Sequence, residues 1–157
     1  MKKALLIGGV VVAAVGVAGW FFGPQLYNRF SSPMTPAGRI AEVEKVDSFA
    51  PDGAGNLTVV RGLAVTFVGG GSPELQADAG YQLWVVRFHP MAGKPEERSR
   101  KASVIDDTGE KHPASWMEVE EEGRSSRTAL VFCLPEPRTP KRIQFDEAPS
   151  VPLPAPG

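Results

Sequence analysis

Hydrophobic and polar residues alternate with a period of two through most of the chain after residue 38, a pattern typical of β-strands with one buried face. The clearest example is GYQLWVVRFHP, residues 80–90, in which Trp84, Val86 and Phe88 fall on one face and Tyr81, Val85 and Arg87 on the other. The segment RTALVFCLP, residues 127–135, is apolar on both faces. It is therefore predicted to be a central strand that is covered on each side.

The same alternation recurs in shorter runs that are separated by turn residues. These runs are RIAEVEKVDSF from Arg39, NLTVVRGLAVTFVGGG at 56–71, ASVIDD leading into a turn at Asp106–Gly109, and KRIQFDE at 141–147, in which Ile143 and Phe145 are predicted to point inward. The 17 glycines and 15 prolines also indicate many turns. About seven short strands without a convincing helix predict an all-β domain over residues 39–147, an immunoglobulin-like antiparallel β-sandwich.

The start of the chain follows a different pattern, because an uncharged apolar run from Ala4 to Phe22 comes directly after Lys2 and Lys3. At about 1.5 Å per residue, a helix of this length extends roughly 29 Å, close to the thickness of a hydrocarbon core. Positive residues stay on the cytoplasmic side, so residues 1–3 are expected in the cytoplasm. The pattern predicts a single transmembrane helix, a signal anchor in a bacterial inner membrane, with the β-domain in the periplasm.

Aromatic residues mark the outer end of this predicted helix. Trp20, Phe21 and Phe22 end the apolar run and Tyr27 follows shortly after. Aromatic side chains favour the interface between lipid and water, so these four residues are predicted to lie there. Residues 23–38, rich in proline, glycine and serine, are predicted to be a juxtamembrane tether.

The predicted helix also carries small residues on one face, at Gly9, Ala13 and Gly16. Small residues four or three positions apart let a second membrane helix approach closely. These three residues are therefore candidates for packing against integral membrane partners. The alternative is that glycine and alanine are simply common in membrane helices.

The segment Val17-Ala18-Gly19 leaves a second interpretation of the leader open. A secretory signal ends in small residues of this kind and is then removed. The apolar run is longer than such signals require, and its bulky aromatic end is a poor cleavage site. The sequence favours the anchor, and a cleaved signal is the alternative.

The charge content argues against a nucleic-acid-binding protein, and the cysteine content excludes a domain held together by internal disulfides. Outside Lys2 and Lys3, acidic residues outnumber basic ones, so nothing favours binding of nucleic acid. The single cysteine, Cys133, cannot form an internal disulfide, and its apolar surroundings predict a buried core residue. The run Glu118–Glu122 is predicted to be a solvated acidic surface or a docking patch.

Candidate chemistry is sparse. His89 and His112, with Asp106 and Asp107, do not form a metal-binding motif, and the Asp106–Gly109 segment fits a hairpin turn better than a calcium loop. No hydrolase or metalloprotease motif is present. We therefore expect no enzymatic activity, no catalytic or metal-binding residues, no cofactor and no small-molecule substrate.

The C-terminal segment, residues 148–157, reads APSVPLPAPG. Its prolines predict an extended, polyproline-like tail that is free or lies in the groove of a partner. The residues proposed for partner binding are Pro149, Pro152, Pro154 and Pro156.

Four segments together resemble the bacterial telokin-like, immunoglobulin-like extracellular domains: DAGYQLWVVRFHP, ASVIDDTGEKHPA, TALVFCLPEP and RIQFDE. The positions that match the family pattern are Gly80, Asp107 with Gly109, Phe132 with Pro135, and Ile143 with Phe145. The sequence departs from the family in two ways, since it has no lipoprotein cysteine and has RFHPMAG where an asparagine usually follows the first long strand. The resemblance implies a sandwich fold outside the cytoplasm and supplies no catalytic residues.

These observations predict a non-catalytic, single-span membrane protein. Its periplasmic sandwich is expected to serve as an accessory or scaffolding subunit of a larger membrane complex. An energy-transducing complex is one candidate. Its expected partners are integral membrane subunits and membrane lipid. The alternative is an exported immunoglobulin-like module that binds a ligand, an envelope component or another protein.

Overall fold

A computed structural model describes residues 34–69, 71–92, 101–122 and 125–156. The strands in these ranges are β1 Met34–Thr35, β2 Gly38–Val46, β3 Ser48–Phe49, β4 Gly55–Leu57, β5 Leu63–Val68, β6 Ser72–Ala77, β7 Tyr81–Ala92, β8 Ala102–Asp106, β9 Lys111–Glu122, β10 Ser125–Pro135, β11 Pro140–Phe145 and β12 Val151–Pro152. The prediction of an all-β fold is confirmed for this part of the chain.

The predicted transmembrane helix at Ala4–Phe22 and residues 23–33 of the predicted tether lie outside the described residues. Within those residues, no helix has the length and apolarity needed to cross a membrane.

A nine-stranded antiparallel sheet, the large sheet, forms the body of the domain. Eight of its strands follow the order β1-β2-β7-β10-β9-β8-β11-β12, and β4 pairs with β9 beside this path. Strand β10 lies between β7 and β9, and its pairing with β7 extends from Ser125 opposite Ala92 to Pro135 opposite Tyr81. The prediction of a central strand at 127–135 is therefore confirmed.

Both faces of β7 and β10 are buried, because alternate side chains enter two separate cores. The first core takes Trp84, Val86, Phe88, Leu130, Phe132 and Leu134 from these two strands. The second core takes Leu83, Val85, Val131 and Cys133. The run of apolar residues without alternation in β10 is explained by this burial on two sides.

The large sheet encloses the first core by curling around it. The rings of Phe88 on β7 and Phe145 on β11 lie 6.1 Å apart, edge to face, although β10, β9 and β8 separate these strands in the sheet. Aromatic pairs in this geometry contribute about 0.5–1.5 kcal/mol beyond the burial of their surface. Ile143 and Phe145 point into this core, as the sequence predicted.

A second, three-stranded sheet with the order β3-β6-β5, the small sheet, covers the second core. Leu63 from β5 and Leu75 from β6 are buried there, and Phe49 from β3 packs against them. The result is a two-layered, sandwich-like arrangement with very unequal sheets.

The run at 56–71 forms two strands, whereas alternation alone predicted one. Strand β4 pairs with β9 in the large sheet, whereas β5 belongs to the small sheet, so the chain crosses between layers at 58–62. Gly62 lies at this crossing with a φ of 82°, and a Cβ there would overlap the ring of Tyr81. Hydrophobic and polar residues keep alternating through the crossing, so the sequence pattern does not reveal it.

The β-structure also extends beyond the predicted range 39–147. At one end, β1 at Met34–Thr35 pairs with β2, within the stretch predicted to be a tether. At the other end, β12 at Val151–Pro152 pairs with β11, within the predicted tail.

Candidate binding groove

A groove of about 390 Å³ opens beside the second core. Strands β2, β7, β9 and β10 form its floor, and the segment from β3 to Asp52 forms one wall. Its charged lining residues are Glu44, Asp52, Glu118, Arg87 and Arg127. Its other lining residues are Val46, Ser48, Phe49, Ala50, Phe88, Thr128 and Ala129.

The groove lies where one face of the large sheet changes from apolar to charged. Along β7, Leu83 and Val85 belong to the second core, and Arg87 is the next residue on that face. Arg87 lies opposite Ala129 of β10. Arg127 comes two residues before Ala129 in the chain and is on the same face of β10. The change therefore comes at Arg87 in β7 and one pair further along the sheet, at Arg127, in β10, and both arginines line the groove.

Arg87 pairs with two carboxylates of the neighbouring strand. Its Nη1 atom lies 2.6 Å from Oε2 of Glu44 and 3.4 Å from Oε2 of Glu42. An irregularity in β2 between Ile40 and Glu42 shifts the alternation of that strand. Ile40 and Val43 therefore both face the first core, while both glutamates reach Arg87.

Glu118 places a carboxylate beneath the wall of the groove. The residue is only 8% exposed, and the indole N–H of Trp116 donates to its Oε2 over 3.4 Å. It lies between Ala129 of β10 and Gly55 of β4, and a Cβ on Gly53, next to the wall, would come within 3.7 Å of its Oε1. The prediction of a solvated acidic surface was wrong for Glu118, because its side chain is buried between β4 and β10.

A second polar cluster surrounds the turn between β8 and β9. Oδ1 of Asp106 accepts hydrogen bonds from the backbone N–H of Thr108 (2.9 Å), the Thr108 hydroxyl (2.7 Å) and the backbone N–H of Glu110 (2.9 Å). Its Oδ2 lies 3.0 Å from Nε2 of His112. The predicted hairpin turn is confirmed, and the Asp106 carboxylate organises it.

The electrostatics of Asp106 follow from these contacts. Burial by itself raises the pKa of this carboxyl, but the hydrogen bonds from His112, Thr108 and Glu110 outweigh it. The pKa is consequently well below its ordinary value of 3.8, and Asp106 is ionised at neutral pH.

The same turn brings possible metal ligands together. Ligand atoms of Asp106, Glu110 and His112 all lie within 4.8 Å of one another, a spacing suitable for a divalent metal with nitrogen and oxygen ligands. His89, the other histidine, lies on β7 and is not in this group. Because the turn already uses the Asp106 carboxylate, the geometry is explained without a metal.

Cys133 is buried in the second core, as predicted, and its thiol donates to the Gly62 carbonyl over 3.2 Å. Burial, with a smaller contribution from the charge of Asp78, raises the pKa of the thiol to about 11. The thiolate, which is the reactive form, is therefore rare at neutral pH.

The groove brings together none of the residues that were predicted as sites. Gly9, Ala13, Gly16, Trp20, Phe21, Phe22 and Tyr27 lie outside the described residues. The four tail prolines, Pro149, Pro152, Pro154 and Pro156, are exposed. Pro152 is nevertheless part of β12, and Leu153 packs against the first core, so this half of the tail is attached to the domain.

Sequence reasoning missed the groove. It placed Arg87 on the face opposite Trp84, and it noted the acidic run that begins at Glu118. It had no means of pairing β2, β7, β10 and β9 side by side, and only that order brings their charged positions together.

Comparison with known protein families, curated proteins and solved structures finds no match to this chain.

Proposed function

We propose that this protein is a non-catalytic, single-span membrane protein whose periplasmic β-domain docks onto partner subunits of a larger membrane complex. One candidate is a complex that transduces energy. The anchor rests on the sequence, namely Lys2 and Lys3 followed by the uncharged run Ala4–Phe22. The observation that carries the docking role is the charged groove beside the second core.

The groove is better suited to docking than to catalysis. Three of its charged groups are already engaged, since Arg87 is paired with Glu44 and Glu42, and Glu118 accepts a bond from Trp116. Among the described residues that line it there is no histidine and no cysteine that would serve as a general base or a nucleophile. Charges of both signs along a partly open groove favour one orientation of a partner over others.

We also propose that the domain is immunoglobulin-like and related to the telokin-like extracellular domains. Support comes from the confirmed turn at Asp106–Gly109 and from the burial of Phe132, Ile143 and Phe145 at matching positions. The division into nine strands and three departs from the more even sheets of immunoglobulin domains.

The test compares two charge reversals in the full-length protein, extracted from its native membrane with a mild detergent. Arg127→Glu changes an exposed side chain of the groove, and Lys141→Glu makes the same change of charge at an exposed position outside the groove. We expect Arg127→Glu to reduce the recovery of membrane partners severalfold and Lys141→Glu to leave it unchanged. Equal recovery with wild type and both variants would remove the groove from the docking surface.

The volume of the groove also favours the second candidate function, an exported module that binds a ligand. Sites for small molecules typically measure about 300–1,000 Å³, and this groove falls in that range. Such a protein would lack the leader, remain soluble without detergent and be recovered without stoichiometric membrane partners.

A further inference from the structure

Strand β5 forms one edge of the small sheet. In the described part of the chain it pairs with β6 and with no other strand. An edge strand presents a row of backbone N–H and C=O groups that can pair with another chain. Most proteins protect such edges with very short strands, charged side chains or proline.

The other sheet ends in this domain follow that rule, and β5 does not. Strands β1, β12 and β3, which end the sheet orders, each have two residues, and β12 includes a proline. Strand β5 has six residues, LAVTFV, with no charge and no proline. Two of its side chains are also unusually exposed, Phe67 at 68% and Val68 at 59%.

The pairing with β6 fixes which backbone groups face outward. The N–H of Asp78 donates to the carbonyl of Gly62 over 2.8 Å, just before β5 begins. Continuing the antiparallel ladder from that bond, Ala64, Thr66 and Val68 exchange bonds with β6. Val65 and Phe67 lie at the intervening positions, so their N–H and C=O groups point to the edge. Phe67 is accordingly opposite Pro73, which has no N–H to donate.

We propose that β5 pairs with β5 of a second copy of this protein, antiparallel and centred on Thr66. A two-fold axis at Thr66 places Val65 opposite Phe67 of the second copy, so the outward groups of both residues are bonded. The two small sheets then form one continuous sheet of six strands. This proposal rests on the small sheet and does not depend on the groove.

Three observations favour this occupant and this register. An uncharged strand meets no repulsion from its own copy. With the axis at Thr66, Val65 of one copy lies opposite Phe67 of the other, and these two residues are on the same, inner face of β5. A register shifted by one residue would instead place inner residues of one copy opposite outer residues of the other. An axis at Val65 would instead require Leu63 to hydrogen-bond with Phe67 of the second copy. The N–H of Leu63 is already bonded to the carbonyl of Val60 over 3.3 Å.

Two cysteine variants of the full-length protein test the register in native membranes. At the axis, the two copies of Thr66 form a non-hydrogen-bonded pair with Cα atoms about 4.5 Å apart, within the range for a disulfide. The copies of Val68 would be separated by four positions along the strands, about 13 Å. Both residues are exposed and share a face, so Val68→Cys is a matched control for Thr66→Cys.

We expect mild oxidation to convert Thr66→Cys to a disulfide-linked homodimer and to leave Val68→Cys and wild type uncross-linked. Equal cross-linking of both variants, no cross-linking of either, or linkage of Thr66→Cys to a different protein would each overturn the proposal.

A third variant tests the contact without a disulfide. Phe67→Lys places a charge on the edge at a residue that is exposed in the single copy, so the fold should be retained. Native mass measurement of the detergent-solubilised full-length protein should find two copies of this chain in the wild-type assembly and one copy in that of Phe67→Lys, whatever membrane partners accompany them. A single copy in the wild-type assembly, or a second copy that survives the lysine, would contradict the pairing of β5 with itself.

Discussion

The guanidinium group of Arg87 lies 2.6 Å from the carboxylate of Glu44 on the neighbouring strand. Two residues earlier on the same face of β7, Val85 is completely buried in the second core. The pair thus marks the place where an apolar face of the large sheet becomes charged and opens into the groove. An irregularity in β2 makes the contact possible, because it turns Glu42 and Glu44 toward Arg87.

The strength of this ion pair can be measured by a double-mutant cycle of Arg87→Met and Glu44→Gln. Both side chains are partly exposed, so solvent screening limits the expected coupling in the free energy of unfolding to about 0.5–1 kcal/mol. The pair Lys45 and Glu136, 3.6 Å apart and about half exposed, is the control and should show coupling near zero. Denaturant unfolding supplies both values, and equal coupling in the two cycles would show that the groove pair is not special.

Gly62 and Gly80 provide a matched test of the crossing between layers. Both have a φ of 82°, but a Cβ at residue 62 would overlap the ring of Tyr81, whereas a Cβ at residue 80 would meet open space. Gly80→Ala should cost about 1 kcal/mol from backbone strain, and Gly62→Ala about 3 kcal/mol because overpacking is added. Thermal or denaturant unfolding of the two variants measures the difference. Equal costs would mean that Tyr81 does not constrain the crossing.

The turn at Asp106 predicts a specific dependence of stability on acid. The folded-state pKa of Asp106 lies below its ordinary value of 3.8, so the stability it contributes is fully present above that value and is lost as the pH falls below it. Asp106→Asn should lower the free energy of unfolding at neutral pH by about 1–2 kcal/mol and flatten its decline in acid. Asp107→Asn, at the exposed neighbour, is the control and should leave the free energy of unfolding at neutral pH nearly unchanged. An acid decline that is identical in wild type and Asp106→Asn would refute this role.

The C-terminal segment divides into an attached part and an exposed part. The backbone N–H of Leu153 donates to the carbonyl of Lys141 over 2.9 Å, and the side chains of Val151 and Leu153 pack against the first core. Ending the chain after Leu153 should leave the free energy of unfolding unchanged, while ending it after Glu147 should lower it by about 2 kcal/mol. Denaturant unfolding checks both. If the longer truncation is equally stable, β12 contributes nothing to the fold.

Much of the fold was predictable because alternation of hydrophobic and polar residues indicates a strand with one buried face. It identified the strand that contains Trp84, the turn that begins at Asp106 and the inward positions of Ile143 and Phe145. The apolar character of 127–135 correctly indicated a strand with both faces covered. These features depend on local sequence, or on a single face meeting any apolar neighbour.

The remaining features depend on contacts that are distant in sequence. The crossing at Gly62 was hidden because the apolar period continues from β4 into β5. The burial of Glu118 depends on its neighbours on two other strands, Gly55 and Ala129, and on the segment at Gly53. Pairing of β12 with β11 gives Pro152 an edge position, which a proline pattern alone does not distinguish from a free extended segment.

The most direct test of the central claim is the intact mass of this protein and of everything recovered with it from native membranes in mild detergent. We expect a chain that retains Met1 to Phe22 and is accompanied by stoichiometric integral membrane proteins. A chain cut near Gly19, soluble without detergent and recovered without such partners, would contradict the anchored subunit and favour the exported binding module.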